Sequence, residues 1–161
     1  GSIIPLMLAS IRRGRELSLY GANMTRFLLS VGDAIELVMK SVNYQGCNII
    51  PVAKSFKVLD LFEIYKERFG LQYRVTLPRV GEKIHEIMAS EEELRRMEYI
   101  KQDEIYLLHP KKDTEAIKFA GNEYSSKDCC LSKDELLGYL RERDFFIEKD
   151  MQKYYHYRRT L

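Results

Sequence analysis

The stretch LSLYGANMTRFLLS occupies residues 17–30 and joins two kinds of local pattern. Its opening LSLY alternates along the chain and predicts a short strand that Gly21 closes. The polar segment 22–26 predicts a loop, and the apolar run 27–29 leads to Ser30, a residue type that caps helix N-termini. The stretch therefore predicts a strand, a loop and the start of a helix.

Helices and strands continue to alternate on both sides of this stretch. Apolar residues at helical spacing predict helices over 2–13, over 32–42 and from the residues after Ser55 as far as Phe69. A serine–glutamate capping box predicts a helix after Ser90 and another after Ser132. Strands are predicted over 47–52, 72–77 and 105–108. Gly70 is predicted to stop a helix, whereas 78–83 and 111–127 are predicted to be irregular.

The composition is that of one globular domain. The 161 residues include 26 Lys and Arg against 24 Asp and Glu, a net charge of +2, and 45% are hydrophobic. These values exclude a disordered chain and give little long-range attraction to a polyanion. No apolar run reaches the roughly 20 residues of a membrane-spanning helix, and the first residues do not resemble a signal peptide, so we expect a cytoplasmic protein. The three cysteines, two of them adjacent, are expected to be reduced thiols.

Several catalytic and cofactor motifs are missing. No two glycines lie three residues apart, which excludes both the dinucleotide-binding glycine fingerprint and a phosphate-binding loop. No tyrosine is followed four positions later by lysine, so the Tyr-x-x-x-Lys pair of short-chain dehydrogenases is missing too. His85-Glu86 begins like a zinc-protease motif, but Ala89 stands where the second histidine is needed. We therefore expect no catalytic residue, no metal site and no cofactor bound by this chain alone.

Two arginines are candidates for binding an anion. Arg26 lies between a polar loop and an apolar run, where a half-buried guanidinium needs an anionic partner. Arg79 lies in a loop with Gly81 and Glu82, in which a guanidinium can bind phosphate oxygens, a glycine permits close approach and a carboxylate can accept from sugar hydroxyls. Two such arginines could grip a diphosphate. Taken alone, each is more often an ordinary ion-paired loop arginine.

The last residues, 147–161, form a basic aromatic tail. Tyrosines beside lysine and arginine can stack on single-stranded nucleic acid. A terminal aromatic segment more often packs on its own domain or on a neighbouring subunit, so we expect no nucleic-acid partner.

The sequence resembles a known family. Residues 1–42, 46–52 and 78–93 resemble the C-terminal half of nucleotide-sugar enzymes of the extended short-chain dehydrogenase/reductase superfamily. The segments MTRF at 24–27 and R-x-G-E-K at 79–83 look like the polysaccharide-biosynthesis group, which includes UDP-N-acetylglucosamine 4,6-dehydratases and related UDP-sugar 4-epimerases. Residues 123–146 are similar to the C-terminal extension of its capsule-synthesis members. The resemblance thus covers 1–146 and leaves the tail, 147–161, unmatched.

The resemblance implies a fold and a set of binding residues. The fold is an α/β substrate-binding lobe, a small mixed sheet with helices, without the N-terminal dinucleotide-binding half. The resemblance implies the following residues in substrate binding. Pro5 and Leu6 lie where the chain passes the nucleotide, and Leu19 and Tyr20 lie on the short strand whose backbone reads the uracil edge. Arg26 and Arg79 hold the diphosphate, and Glu82 faces the ribose. For Pro5, Leu6 and Tyr20 the alternative is core packing. The chain departs from the family pattern at Ala22-Asn23, where Asp-Pro is usual, and at Val80, where Pro is usual.

The resemblance also implies a function. The chain would be the UDP-sugar-binding part of a UDP-N-acetylglucosamine 4,6-dehydratase, with a UDP-sugar 4-epimerase or a non-catalytic interaction module as alternatives. The complete enzyme would use NAD or NADP, held by a Rossmann-containing N-terminal half or a separate subunit. A homo-oligomer is expected, because the face that meets that half would otherwise be exposed.

Overall fold

The computed structural model describes residues 3–111, 119 and 122–143. The helices in this part of the chain are α1 (Ile3–Arg13), α2 (Val31–Ser41), α3 (Val58–Phe69), α4 (Glu91–Leu94) and α5 (Lys133–Glu142). The strands are β1 (Leu17–Tyr20), β2 (Thr25–Phe27), β3 (Asn48–Pro51), β4 (Ser55–Lys57), β5 (Tyr73–Thr76), β6 (Ile87–Ala89), β7 (Met97–Ile100), β8 (Ile105–Leu108) and β9 (Tyr124–Ser125). The predicted fold class, a small mixed α/β arrangement, is confirmed.

The chain forms two compact units, and the first contains the described residues 3–23, 58–82 and 132–143. In this unit β1 and β5 pair in parallel, from Leu17 opposite Tyr73 to Tyr20 opposite Thr76. Helix α3 packs against α5. The fully buried apolar side chains of the unit are Met7, Leu19, Leu61, Ile64, Tyr65, Leu71, Leu136 and Leu140.

The second unit contains residues 24–57 and the described part of 83–131. Its largest sheet is antiparallel with the order β3-β8-β7, and two further antiparallel pairs join β2 to β4 and β6 to β9. The core of the unit is a cluster of buried side chains with aromatic rings packed around it: Ile50, Ala89, Leu94, Met97 and Tyr124, together with Phe27, Tyr106 and Phe119.

All three serines singled out as helix caps hold that position. The side chains of Ser30, Ser90 and Ser132 each accept a hydrogen bond from the backbone N–H three residues later. The acidic side chain at that later position accepts a hydrogen bond from the serine N–H in turn. Such reciprocal bonds satisfy donors that the helix itself leaves unpaired. Gly70 ends α3 at φ 68°, a left-handed conformation that glycine adopts without strain.

Three local predictions were wrong. The segment 22–26 was expected to be loop throughout, but Thr25 and Arg26 begin β2. Ser55 was expected to precede a helix, but it begins β4, and its N–H donates to Cys129 O at 3.0 Å. The segment 111–127 was expected to be irregular, but Tyr124 and Ser125 form β9, which pairs with β6. In each case pairing with a distant segment outweighs the local pattern.

The remaining expectations concern thiols, membranes and the tail. Cys47, Cys129 and Cys130 are free cysteines, and burial raises the pKa of Cys129, which disfavours its reactive thiolate. Among the described residues no helix is long and apolar enough to cross a membrane. The tail, 147–161, lies outside the described residues.

Candidate functional site

Tyr20 and Arg79 meet beyond the carboxyl ends of the two parallel strands. Tyr20 is the last residue of β1, and Arg79 lies shortly after Thr76, the last residue of β5. Because β1 and β5 are parallel, both strands end at the same edge of the pair. Ligands of α/β proteins commonly bind outside this edge.

The two side chains form a stacked pair. The Cζ atom of Arg79 lies 4.1 Å from the ring centroid of Tyr20, and Nη2 of Arg79 donates a hydrogen bond to the Tyr20 hydroxyl oxygen. This hydrogen bond lowers the pKa of Tyr20 below its usual value. Arg79 is exposed, and stacking with one hydrogen bond uses only part of its fork of five N–H donors. The guanidinium is therefore held in place while donors remain for an anion.

Two turns hold this edge together. Gly21, at φ 89°, follows Tyr20, and its N–H donates to Thr76 O at 3.0 Å, which ties the end of β1 to β5. Further along, the Glu82 N–H donates to Arg79 O at 2.9 Å across Gly81, which has φ 84°. Positive φ is strained for residues with a Cβ, so both glycines fit their turns. Glu82 is half-buried at the end of this loop.

The other residues predicted to bind substrate in the first unit have different surroundings. Pro5 and Leu6 are exposed on α1, next to the buried Met7, so core packing does not explain them. Leu19 has its side chain buried in the core. Its carbonyl accepts hydrogen bonds from Thr76 Oγ1 at 3.3 Å and from Gly21 N at 3.1 Å. The side chain of Leu19 therefore lies away from a ligand site, its carbonyl already has two partners, and a role of Leu19 in binding stays a prediction.

Arg26 belongs to the second unit, where protein groups surround it. Its Nη1 donates to Thr25 O at 2.8 Å and to Ile84 O at 3.3 Å, and its Nε lies 3.5 Å from Glu86 Oε1. Its side chain is only 21% exposed. The anion that a half-buried guanidinium requires is supplied here by a carboxylate of the chain itself. A role of Arg26 in holding a diphosphate stays a prediction.

A network of hydroxyl groups behind Arg26 was missed by the sequence reasoning. Thr25 Oγ1 lies 2.8 Å from His85 Nδ1 and 2.6 Å from Ser126 Oγ, and Ser126 Oγ accepts from Glu86 N at 2.9 Å. Thr25 and Ser126 are buried. The network fixes the backbone of Glu86 beside β2, where its carboxylate meets Arg26. The two partners in each of these hydrogen bonds are 40 to 101 residues apart in sequence, so no local pattern indicates the network.

The described residues contain no group of three His, Cys, Asp or Glu side chains that could hold a metal ion. The side chain of His85 forms a hydrogen bond with Thr25, and His109 Nε2 lies 2.9 Å from Glu98 Oε2. His156 lies outside the described residues.

Comparison with known proteins identifies the family. A family model described as polysaccharide biosynthesis protein matches residues 1–109. The chain belongs to this family. Its relatives include an uncharacterised membrane protein of Methanocaldococcus jannaschii, 28% identical over 159 residues, a match that covers 88% of this chain and 45% of the relative. A UDP-glucose 4-epimerase of Rickettsia rickettsii is 34% identical over 102 residues, covering 60% of this chain and 29% of the epimerase.

The solved structures show the same fold in a longer protein. Pen from Bacillus thuringiensis matches with a TM-score of 0.74 at 22% identity, over 91% of this chain and 46% of that one. This chain therefore spans less than half the length of the relatives it matches. Together the matches confirm the resemblance to the polysaccharide-biosynthesis group of extended short-chain dehydrogenases/reductases.

Proposed function

We propose that this chain binds the UDP part of a nucleotide sugar within an enzyme that modifies the sugar with the aid of NAD or NADP. The observation that carries the proposal is the Tyr20–Arg79 pair beyond the carboxyl ends of β1 and β5. A guanidinium held by stacking has lost much of its side-chain freedom before a ligand arrives, and its fork matches phosphate oxygens. The relatives named UDP-glucose 4-epimerase support the same substrate class.

The proposed orientation of UDP follows from the same edge. β1 pairs with β5 on one side, and no other described strand pairs with it. The backbone groups of Tyr20 lie on the unpaired side, where they can exchange hydrogen bonds with a base edge. Those of Leu19 face β5, like the N–H groups of Leu17 and Gly21, which donate to Gln72 O and Thr76 O. The diphosphate would then meet Arg79, and the ribose hydroxyls would face Glu82. Pro5 and Leu6 would supply apolar contacts to the nucleotide, a role that their exposure permits.

The residues of this chain do not fit NAD or NADP themselves. The described glycines with positive φ are isolated from one another in the sequence. No glycine follows another at the three-residue spacing that a dinucleotide-binding turn requires. The step from β4 into α3 contains no glycine at all. The cofactor would be held by another part of the complete enzyme, so this chain contributes substrate binding and positioning. Such remote binding energy helps to place the sugar for reaction.

For the complete enzyme the proposed reaction begins at C4 of the sugar. The MTRF and R-x-G-E-K segments favour a UDP-N-acetylglucosamine 4,6-dehydratase. The names of the Rickettsia relatives favour a 4-epimerase. Both reactions require the same UDP site, so the proposal for this chain does not depend on the choice. Product analysis of the complete enzyme distinguishes them, because dehydration gives a 4-keto-6-deoxy sugar and epimerisation gives a stereoisomer.

Calorimetric titration of the chain with UDP tests the proposal. We expect Arg79→Ala to weaken UDP binding about 10-fold to 100-fold, since a hydrogen bond to a charged group is worth about 1.5–3 kcal/mol. Arg74→Ala is the matched control: it removes the same charge from β5, where Arg74 is exposed and pairs with Glu16 at 3.3 Å. It should change affinity less than twofold. Equal effects of the two substitutions, or equal affinity for UDP and uridine, would contradict the proposal.

A further inference from the structure

The hydroxyl group of Tyr20 has no acceptor for its own proton among the described residues. Nη2 of Arg79 donates to the hydroxyl oxygen, and a guanidinium carries only donors, so it cannot accept a hydrogen bond in return. The Arg79 hydrogen bond, and to a lesser degree one from the Ser18 side chain, lower the pKa of Tyr20, as bonds donated to a phenol oxygen do. In its protonated form the phenol therefore has a donor left for a ligand.

This donor lies on a face of the β1–β5 pair that solvent reaches. Side chains alternate along a strand, so Ser18 and Tyr20 of β1 share one face with Arg74 and Thr76 of β5. Arg74 is exposed and the other three are half-buried, whereas Leu19, on the opposite face, is buried in the core. A ligand can therefore approach the Tyr20 hydroxyl from the outside.

The charge around this donor favours an anion. The contacts of Arg79 are with a neutral phenol, so they leave its positive charge uncompensated. Arg74, the other arginine of this face, pairs with Glu16 at 3.3 Å. A guanidinium and an O–H donor side by side suit an oxyanion, because its oxygens can accept from both.

We propose that the Tyr20 hydroxyl donates a hydrogen bond to the same phosphate group that Arg79 binds. The proposal rests on the proposed function for the identity of the ligand, a nucleoside diphosphate, and it gives the Tyr20 side chain a direct role in binding. Because Nη2 of Arg79 already contacts the hydroxyl, the two donors are close enough to meet two oxygens of one phosphate group. The ring meanwhile stays against the guanidinium, whose Cζ lies 4.1 Å from the ring centroid.

The backbone of Tyr20 remains available to the base. Its N–H and C=O groups lie on the unpaired side of β1, whereas its side chain stands roughly perpendicular to the plane of the strand pair. One residue can thus meet the base with its backbone and the phosphate with its hydroxyl. The length of the tyrosine side chain separates these two contacts, as the ribose separates the base from the diphosphate.

The variant Tyr20→Phe separates the hydroxyl from the ring, because it keeps the stacked ring and removes the O–H group. NMR titrations, which also measure weak affinities, compare the variant with the wild type for UDP, inorganic pyrophosphate and uridine. We expect UDP and pyrophosphate to bind at least about fivefold more weakly to Tyr20→Phe, since a hydrogen bond to a charged group is lost. The affinity for uridine, which has no phosphate, should change less than about twofold.

Tyr73→Phe is the matched control for the loss of a hydroxyl. Tyr73 lies opposite Leu17 in the same strand pair but on the other face, where its ring packs 5.1 Å from that of Phe62. This substitution should change the affinity for each of the three ligands less than about twofold. Equal weakening of UDP binding by Tyr73→Phe and Tyr20→Phe overturns the proposal, and so does unchanged binding in Tyr20→Phe.

A double-mutant cycle with Arg79→Ala distinguishes a direct contact from a role of Tyr20 in positioning Arg79. If the hydroxyl contacts the phosphate, adding Tyr20→Phe to Arg79→Ala weakens UDP binding further, by about threefold or more. If the hydroxyl only positions the guanidinium, Tyr20→Phe has no further effect once the guanidinium is gone. That second result overturns the direct contact.

This proposal and the proposed function fail separately. Weaker UDP binding in Arg79→Ala with unchanged binding in Tyr20→Phe removes the hydroxyl contact and leaves the proposed function. UDP that binds no more tightly than pyrophosphate, with both weakened by Tyr20→Phe, removes the proposed function and assigns the hydroxyl contact to a site for another phosphate compound. Absence of binding of UDP and of pyrophosphate to the wild type overturns both.

Discussion

Replacing Tyr124 with phenylalanine removes one buried hydroxyl from the core of the second unit. The Tyr124 hydroxyl accepts a hydrogen bond from Ala53 N at 2.7 Å and lies 3.2 Å from the carbonyl oxygens of Pro51 and Ala53. Burial raises the pKa of Tyr124, so the hydroxyl keeps its proton and donates it to one of these carbonyls. The Tyr124 hydroxyl thus provides a hydrogen-bond partner for backbone groups at the point where the chain leaves β3.

The expected loss of stability follows from which contacts of Tyr124 the substitution keeps and which it removes. The phenylalanine ring can keep the stacked contact with Phe119, at 4.6 Å between centroids, and the edge contact with Phe27, at 5.4 Å. The loss is therefore confined to the hydrogen bonds. A buried N–H without a partner costs about 1–3 kcal/mol, and we expect Tyr124→Phe to lower the free energy of unfolding by about 2 kcal/mol.

Urea unfolding followed by circular dichroism measures this difference, and hydrogen exchange at the Ala53 amide locates it. The amide should lose protection in Tyr124→Phe. Tyr106→Phe is the matched control, because Tyr106 belongs to the same cluster, at 5.6 Å between the two tyrosine rings, and its hydroxyl bonds no described residue. Its effect should stay within about 0.5 kcal/mol. The reasoning is refuted if both variants lose the same stability, or if Ala53 stays protected.

Two further predictions concern helices. Gly70→Ala should destabilise the chain by about 1 kcal/mol because φ at this position is 68°. Gly138 lies in α5, where a new Cβ would meet open space, so Gly138→Ala should stabilise the chain by up to about 1 kcal/mol. Thermal unfolding measures both changes in stability, and changes of equal sign would contradict the argument. Hydrogen bonds from the backbone N–H and hydroxyl of Ser90 lower the pKa of Glu93 below 4.5. The carboxylate therefore stabilises the fold above that pH and loses this effect as pH falls through the lowered pKa, so the stability difference between wild type and Glu93→Ala should shrink from about pH 6 to about pH 3 in urea titrations. A difference that is constant with pH would rule out the charged form as the cause.

The sequence predicted best those elements whose stabilising contacts are local. A capping box joins residues three apart, so Ser30, Ser90 and Ser132 could be recognised from neighbouring side chains alone. The strand β4 depends instead on distant partners: besides β2, the Ser55 carbonyl accepts from Leu131 N at 2.9 Å. Contacts of this kind leave no periodic trace in a single sequence, and three-residue strands have almost no pattern of their own.

The candidate site was predicted in its residue types and only partly in its contacts. The sequence indicated an arginine, a glycine and a carboxylate in one loop, which the structure places at the end of β5. It gave no sign that Arg79 stacks on Tyr20, because the two residues are 59 positions apart and meet only through the pairing of β1 with β5. Family resemblance named Tyr20 for its backbone, whereas the structure adds a contact of its side chain with Arg79.

The surroundings of Arg26 and Arg79 lead to different expectations for the same substitution. A phosphate approaching Arg26 competes with the Glu86 carboxylate and two backbone carbonyls. A phosphate approaching Arg79 competes with water and one neutral hydroxyl. Removing Arg26 leaves a half-buried carboxylate without its cation and so lowers stability before it affects a ligand. Removing Arg79 costs the fold its exposed contacts with Tyr20, which are one hydrogen bond and a cation–π contact worth about 0.5–1 kcal/mol. A loss of UDP affinity can therefore be attributed to the ligand contact only at Arg79, and for this reason the proposed function is tested there.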